Sequence, residues 1–254
     1  EHLADAPFVL AALDCAAHDL WGRLENAPVH RLLGLDPNDV VNSSFTIGIA
    51  EVDEMIAKLA ETPGWQIYKI KLGTERDLEI ITALREHTEA TFRVDANCAW
   101  DPNEAAALSR EMARQGVEFI EQPLEPEARE AQAQLFRESA LPLIADENCV
   151  SEDDVPRCVD HFHGINIKLC KCGGLTPARR MIANARELGL KVMVGCMTES
   201  SVGISAAAQL APLLDYADLD GAVLLAEDAA DGVQLHKGQL TFLNEPGLGI
   251  QSLK

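Results

Sequence analysis

The sequence predicts an α/β chain folded as a closed parallel (β/α) barrel. Three observations predict it: a series of apolar strand-like runs, the near-even spacing of those runs, and amphipathic helix-favouring segments between them. The runs are "FTIGI", "YKIKL", "FRVDA", "FIEQPL", "LIADE", "INIKL", "KVMVG" and "YADLDG". Their central residues, Ile47, Ile70, Val94, Ile120, Ile144, Ile167, Met193 and Leu219, are 23, 24, 26, 24, 23, 26 and 26 residues apart. One strand–helix unit repeated eight times has such a period. An open doubly wound sheet uses the same units, but the regularity and the lack of a Gly-rich phosphate turn after the first strand favour closure.

Residues 1 to about 35, with "FVLAALDCAAHDLWGRL", read as helical and fall outside the repeat. In the second strand, side chains alternate faces, so Lys69 and Lys71 point the same way and Tyr68, Ile70 and Leu72 the other. "DLEIITALREH" follows as a helix, and "PNEAAALSREMARQG" follows the third strand, starting at Pro102 and stopping at Gly116. "TPARRMIANARELGL" is the helix between strands six and seven. Beyond strand eight, "GVQLHKGQLTFLNEPGLGI" reads as short strands and turns. The expected division is an outer segment at 1–40, the barrel at 41–225, and a segment at 226–254 that returns to the first.

A chain with 47% hydrophobic residues can bury a sizeable core. No apolar run approaches the roughly 20 residues that cross a bilayer, and no signal peptide opens the sequence, so a cytoplasmic location and no membrane partner are expected. A net charge of -20 argues against nucleic acid or an anionic surface as partner. The seven cysteines are odd in number and scattered, which predicts reduced thiols. Cys170 and Cys172 lack the second pair that a structural zinc site needs. The expected partner is a small molecule, with homo-oligomerisation left open.

Charges gather at the carboxyl ends of the strands, where a parallel barrel places its active site. They are Lys69 and Lys71 on strand two, Asp95 on three, Glu121 on four, Asp146 and Glu147 on five, Lys168 on six, and Asp218 and Asp220 on eight. Taken singly, each carboxylate could cap a helix or pair with an arginine. Together, Asp95, Glu121 and Asp146, spaced by 26 and 25 residues, meet at one point in a closed barrel and repel unless a cation lies between them. An all-oxygen donor set points to Mg²⁺. Lys71 and Lys168 lie across the barrel from one another. A lysine beside a metal and a second ammonium, here Lys69, is expected to have its pKa pushed down and to act as a base. Such a site suits removal of a proton α to a carboxylate, and bases on both faces of that carbon permit inversion. A histidine base on strand seven is lacking, since "KVMVGCMTES" has none and His161 and His163 precede strand six. A Schiff-base lysine would have no use for three converging carboxylates.

With "KIKLG", "RVDAN", "FIEQPL", "IADE", "INIKLCKCGGLT", "MVGCMTES" and "DLDG" in this order, nearly the whole chain resembles the enolase superfamily. Within it the resemblance is to the muconate-lactonizing subgroup, most closely the dipeptide epimerases. The resemblance implies a TIM-type barrel of modified (β/α)7β form with an incomplete α+β capping domain. It implies that Asp95, Glu121 and Asp146 bind Mg²⁺ and that Lys71 and Lys168 are the acid/base pair of an epimerase working through an enolate. Lys171 competes for the strand-six role; Lys168 is favoured because it lies within the apolar strand "INIKL". Lys69 would hold a substrate carboxylate oxygen, Thr46, Cys196, Met197 and Thr198 would line the pocket, and Asp218 and Asp220 would hold the ammonium group of a dipeptide. The same site would serve an N-acylamino acid racemase, an o-succinylbenzoate synthase or a muconate cycloisomerase, and a non-catalytic barrel is the alternative of a different class. "DANCAW" departs from the pattern, with Cys98 and Ala99 in place of a more polar pair.

Overall fold

The computed structural model describes residues 5–253. Eight strands, β1 (Phe45–Ile47), β2 (Ile67–Lys71), β3 (Thr91–Asp95), β4 (Val117–Glu121), β5 (Leu143–Ala145), β6 (Gly164–Lys168), β7 (Lys191–Gly195) and β8 (Tyr216–Asp218), pair in chain order. Every pairing is parallel. A parallel bridge from Ser43 to Ala217, with Ser44 N–H donating to the Ala217 carbonyl at 3.2 Å, joins β8 back to β1 and closes the barrel.

Strand alternation divides the apolar residues into two cores. Ile70, Val94, Ile120, Ile167, Val194 and Ala217 face outward into the large core beneath the helices. Phe119, Ile144 and Met193, with Tyr216 against them, form a separate plug inside the barrel. Arg93 lies over that plug, its guanidinium 5.3 Å from the Phe119 ring centre and 5.0 Å from that of Tyr216. The plug is the floor on which the polar mouth stands.

Helices α1 (Pro7–Leu24) and α2 (Val29–Leu32) precede the barrel. Its outer ring is α3 (Val52–Glu61), α4 (Asp77–Arg85), α5 (Ala105–Arg114), α6 (Arg129–Glu138), the short α7 (Leu169–Cys172), α8 (Leu175–Glu187) and α9 (Ser201–Ala208). Among the described residues two strands are not followed by an α-helix, and the second case, after β8, is the (β/α)7β ending that the resemblance implies. After β5 the chain forms a 3-10 helix, Glu152–Cys158, because Pro156 lies inside it and has no N–H to continue a ladder. After β8 no helix follows among the described residues, so seven strand–helix units and a final strand build the barrel. Helix α5 also begins later than Pro102, because Asp101 Oδ1 accepts the N–H of Asn103 at 2.8 Å and makes a turn there first.

The last segment carries two short antiparallel pairs. Strand β9 (Ala230–Asp231) pairs with β12 (Ser252–Leu253), and β10 (Gln234–His236) with β11 (Gln239–Thr241). Lys237 and Gly238, both at positive φ, make the tight turn between the latter two. This segment meets α1 at two glycines: a Cβ on Gly22 would stand 2.4 Å from Gly247 Cα. Asp14 on α1 accepts the Thr176 N–H at 3.0 Å at the start of α8, so α1 is tied to the barrel as well. Among the described residues no helix is long and apolar enough to cross a membrane, and all seven cysteines are free thiols.

Candidate active site

Register places the charged side chains in layers at the carboxyl ends of the strands. Lys71 is opposite Asp95 and Asp95 opposite Glu121; on the other side Lys168 is opposite Gly195 and Gly195 opposite Asp218. Both β2 lysines point inward, as alternation requires. Lys69 is only 2% exposed, and its Nζ lies 2.7 Å from Glu121 Oε2, 2.8 Å from Asp218 Oδ2 and 3.2 Å from Asp95 Oδ2. Lys71 Nζ donates to Asp95 Oδ2 at 2.6 Å. Across the mouth, Asp146 is shared: Lys168 donates to Oδ2 at 2.5 Å and Lys171 to Oδ1 at 2.7 Å. The two candidates for the strand-six role therefore hold the same carboxylate.

Burial and charge act against each other here. Burial opposes the Lys69 ammonium, but Asp218, Glu121 and Asp95 overcome it and hold its pKa well above the ordinary value. Burial likewise would raise Asp95, yet Lys69 and Lys71 hold it down at about 2. Glu121 is pushed up to about 7, by burial first and then by Asp95. At Lys168 the balance again goes to the carboxylates. Burial lowers its pKa, but Asp146 and Glu121 outweigh burial and raise it.

Asp95, Glu121 and Asp146 fit a hard divalent cation by chemistry and position. They are buried, they supply only oxygen, and they stand on three successive strands. Glu121 Oε2 accepts no well-directed hydrogen bond despite the nearby Lys69. With ammonium groups on each of them, no three carboxylate, histidine or cysteine side chains among the described residues converge closely enough to hold an ion as they stand.

The substrate-facing expectations divide. Asp218 is engaged twice, by Lys69 and by Ser44 Oγ at 2.7 Å. Asp220 accepts the Thr46 N–H at 2.6 Å, and among the described residues no cation pairs with it. Its carboxyl is pushed up to about 7, by burial and then by Asp218. Cys196 accepts the Gly221 N–H through Sγ at 3.3 Å, and Met197 and Thr198 are exposed in the loop after β7.

Several supporting residues lie beyond the motifs. Asn166 donates to Glu121 Oε1 at 2.8 Å; its spacing of two from Lys168 within "INIKL" was a usable signal. Gln122, in the left-handed region at φ 36, accepts the Asp146 N–H at 3.0 Å and the Asn148 N–H at 3.2 Å and so joins the ends of β4 and β5. Asp77 accepts from Gly73 N, Thr74 N and Trp100 Nε1 at 3.0, 2.8 and 2.9 Å, fixing the loop that follows Lys71. Nothing in periodicity points to Gln122 or Asp77.

Residues 51–253 match the family model described as Enolase C-terminal domain-like. The chain is 54% identical over 244 residues to an L-Ala-D/L-amino acid epimerase of Maribacter, which covers 96% of this chain and 72% of that protein. It is 50% identical over 252 residues to another of the same name from Flavobacterium johnsoniae, covering 99% and 75%. A dipeptide epimerase of Enterococcus faecalis V583, solved with Mg and the dipeptide L-Leu-L-Tyr, superimposes with a TM-score of 0.91 at 34% identity, covering 97% of this chain and 73% of that one. These relatives are isomerases, and their matched region is the barrel with its flanking segments. The chain belongs to the Enolase C-terminal domain-like family, among whose members it stands with the dipeptide epimerases.

Proposed function

We propose that the protein is a Mg²⁺-dependent dipeptide epimerase that inverts the carbon bearing the free carboxylate, using Lys71 and Lys168 as a two-lysine acid/base pair through an enolate. The observation that carries this reading is the placement of two lysines on β2 and β6, four strands apart in a closed eight-stranded barrel, each paired with one carboxylate of the Asp95, Glu121 and Asp146 set. An amine on either side of one carbon can remove a proton from one face and deliver a proton to the other.

Lys71, as the free amine, takes the α-proton, and the electron pair left on carbon is delocalised into the substrate carboxylate. Lys168, as the ammonium, returns a proton to the opposite face. One proton leaves and one arrives, the two lysines exchange protonation states, and the product differs from the substrate in configuration alone. Asp95, Glu121 and Asp146 would hold Mg²⁺, which when bound supplies positive charge to the substrate carboxylate. Lys69 adds a buried positive charge nearby, and Asp220 receives the substrate ammonium.

The test is NMR of L,L-dipeptides incubated with the protein and Mg²⁺ in D₂O. The expected result is loss of the carboxy-terminal Cα–H signal with appearance of the epimer, abolished by a chelator. No exchange with any member of a broad panel would count against the reaction. Exchange confined to N-acylated amino acids would favour a racemase of that class.

A further inference from the structure

Alternation in "INIKL" sends Asn166 and Lys168 to the inside of the barrel and Ile165 and Ile167 to the core beneath the helices. Asn166 is 1% exposed, one layer below Lys168 and level with Met193 of the apolar plug. From there its Nδ2 reaches past β5 and donates to Glu121 Oε1 at 2.8 Å. Strand β6 therefore holds two of the three candidate metal ligands, Glu121 through Asn166 and Asp146 through Lys168.

The two holds differ in kind. The Lys168 ammonium brings positive charge to its carboxylate, whereas the Asn166 amide is neutral. A neutral donor fixes the direction of a carboxylate without cancelling the charge that attracts a cation. With Oε1 held, Oε2 is the oxygen of Glu121 left without a well-directed hydrogen bond. Lys69 Nζ lies 2.7 Å from it and 3.2 Å from Asp95 Oδ2, so the unheld oxygen and Asp95 already have one cation as a common neighbour.

Packing does not account for the amide. Asn166 Oδ1 is buried and has no hydrogen-bond partner among the described residues, a state that costs stability and that an apolar side chain would avoid. Strand β7 nevertheless leaves room for it: a Cβ on Gly195 would stand 2.7 Å from Asn166 Oδ1 and 2.8 Å from Nδ2. A side chain at position 195 would push the amide from its place.

We propose that Asn166 is a positioning residue for the metal, aiming Glu121 Oε2 at Mg²⁺ by tying down Oε1, and that Gly195 is the seat that keeps the amide there. The inference rests on the Mg²⁺ reading of Asp95, Glu121 and Asp146, and it gives neither Asn166 nor Gly195 a contact with the ion.

The experiment is calorimetric titration of chelator-treated protein with MgCl₂ for the parent, Asn166→Leu, Asn166→Ala and Gly195→Ala, with the Mg²⁺-free urea midpoint and the Mg²⁺ dependence of Cα–H exchange measured alongside. Leucine keeps the approximate shape of asparagine without its donor. The Kd for Mg²⁺ is expected to rise about tenfold or more in Asn166→Leu and Gly195→Ala, and the Mg²⁺ concentration that half-saturates exchange to rise by the same factor. The Mg²⁺-free urea midpoint of Asn166→Leu is expected to be no lower than that of the parent, which separates positioning from a merely structural role. If Asn166→Leu does not fold, Asn166→Ala decides; loss of folding in both shows a structural role and overturns the inference. A parent-like Kd in a folded Asn166 variant overturns it too and leaves the metal reading standing, whereas a parent protein that binds no Mg²⁺ overturns both. A parent-like Kd in Gly195→Ala overturns the part given to Gly195.

Discussion

An ammonium group with 2% of its surface exposed persists only where carboxylates replace its water, and Lys69 has three of them within 3.2 Å. The residues around it were legible in unequal measure. Lys69, Lys71, Asp95, Glu121, Asp146 and Lys168 all sit at strand ends with strong periodic context, and all six side chains meet at one mouth. Asp77 has no such context, yet it answers three N–H donors from two loops. Asp77→Ala leaves the Gly73 and Thr74 amides and the Trp100 indole without an acceptor. Since a buried unsatisfied donor costs roughly 1–3 kcal/mol, the variant should lose about 3 kcal/mol, measured as a lower midpoint of urea unfolding. Asp77→Asn, which keeps one acceptor oxygen, should lose less.

Strands and helices were easier to anticipate than their ends. A period of two and a period of 3.6 are set by many residues at once, whereas a boundary turns on one or two, as at Asp101 and Pro156. The amino-terminal edge of the barrel also holds a titrating clip. His163 Nδ1 accepts the Leu143 N–H at 3.0 Å, its own N–H donates to the Leu143 carbonyl at 2.8 Å, and its carbonyl accepts the Lys191 N–H at 2.9 Å. One residue thus ties β5, β6 and β7, with its ring centre 4.4 Å from that of Phe136. Burial lowers the His163 pKa, and protonating Nδ1 would remove the acceptor. The unfolded chain then binds the proton more readily than the folded one. This contribution is complete above the ordinary histidine pKa of about 6.5 and is lost as pH falls through the lower folded value. Denaturant midpoints between pH 7.5 and 5 should therefore fall more steeply for the parent protein than for His163→Gln.

At the scale of the whole molecule, closure of the sheet turns residues far apart in sequence into neighbours. Ser44 reaches Asp218 and Thr46 reaches Asp220 across 174 positions each. Regular strand spacing announced that closure. What it could not announce is how the buried charges settle, because ion pairing depends on ångström-scale separations that a strand register does not set. At Lys168, Asp146 and Glu121 outweigh burial and raise the pKa. The outer layer is held at α1 and the last segment by Asp14 and the Gly22–Gly247 crossing, contacts that depend on the fold already being formed.

The central claim is that amines approach one carbon from two sides, and Lys168→Ala tests it most directly. The variant is assayed with Mg²⁺ in D₂O on both epimers of one dipeptide. The account predicts that inversion is abolished, by at least about a thousandfold, while one epimer still exchanges its Cα–H through Lys71. Inversion at the parent rate, or exchange retained equally by both epimers, would contradict it.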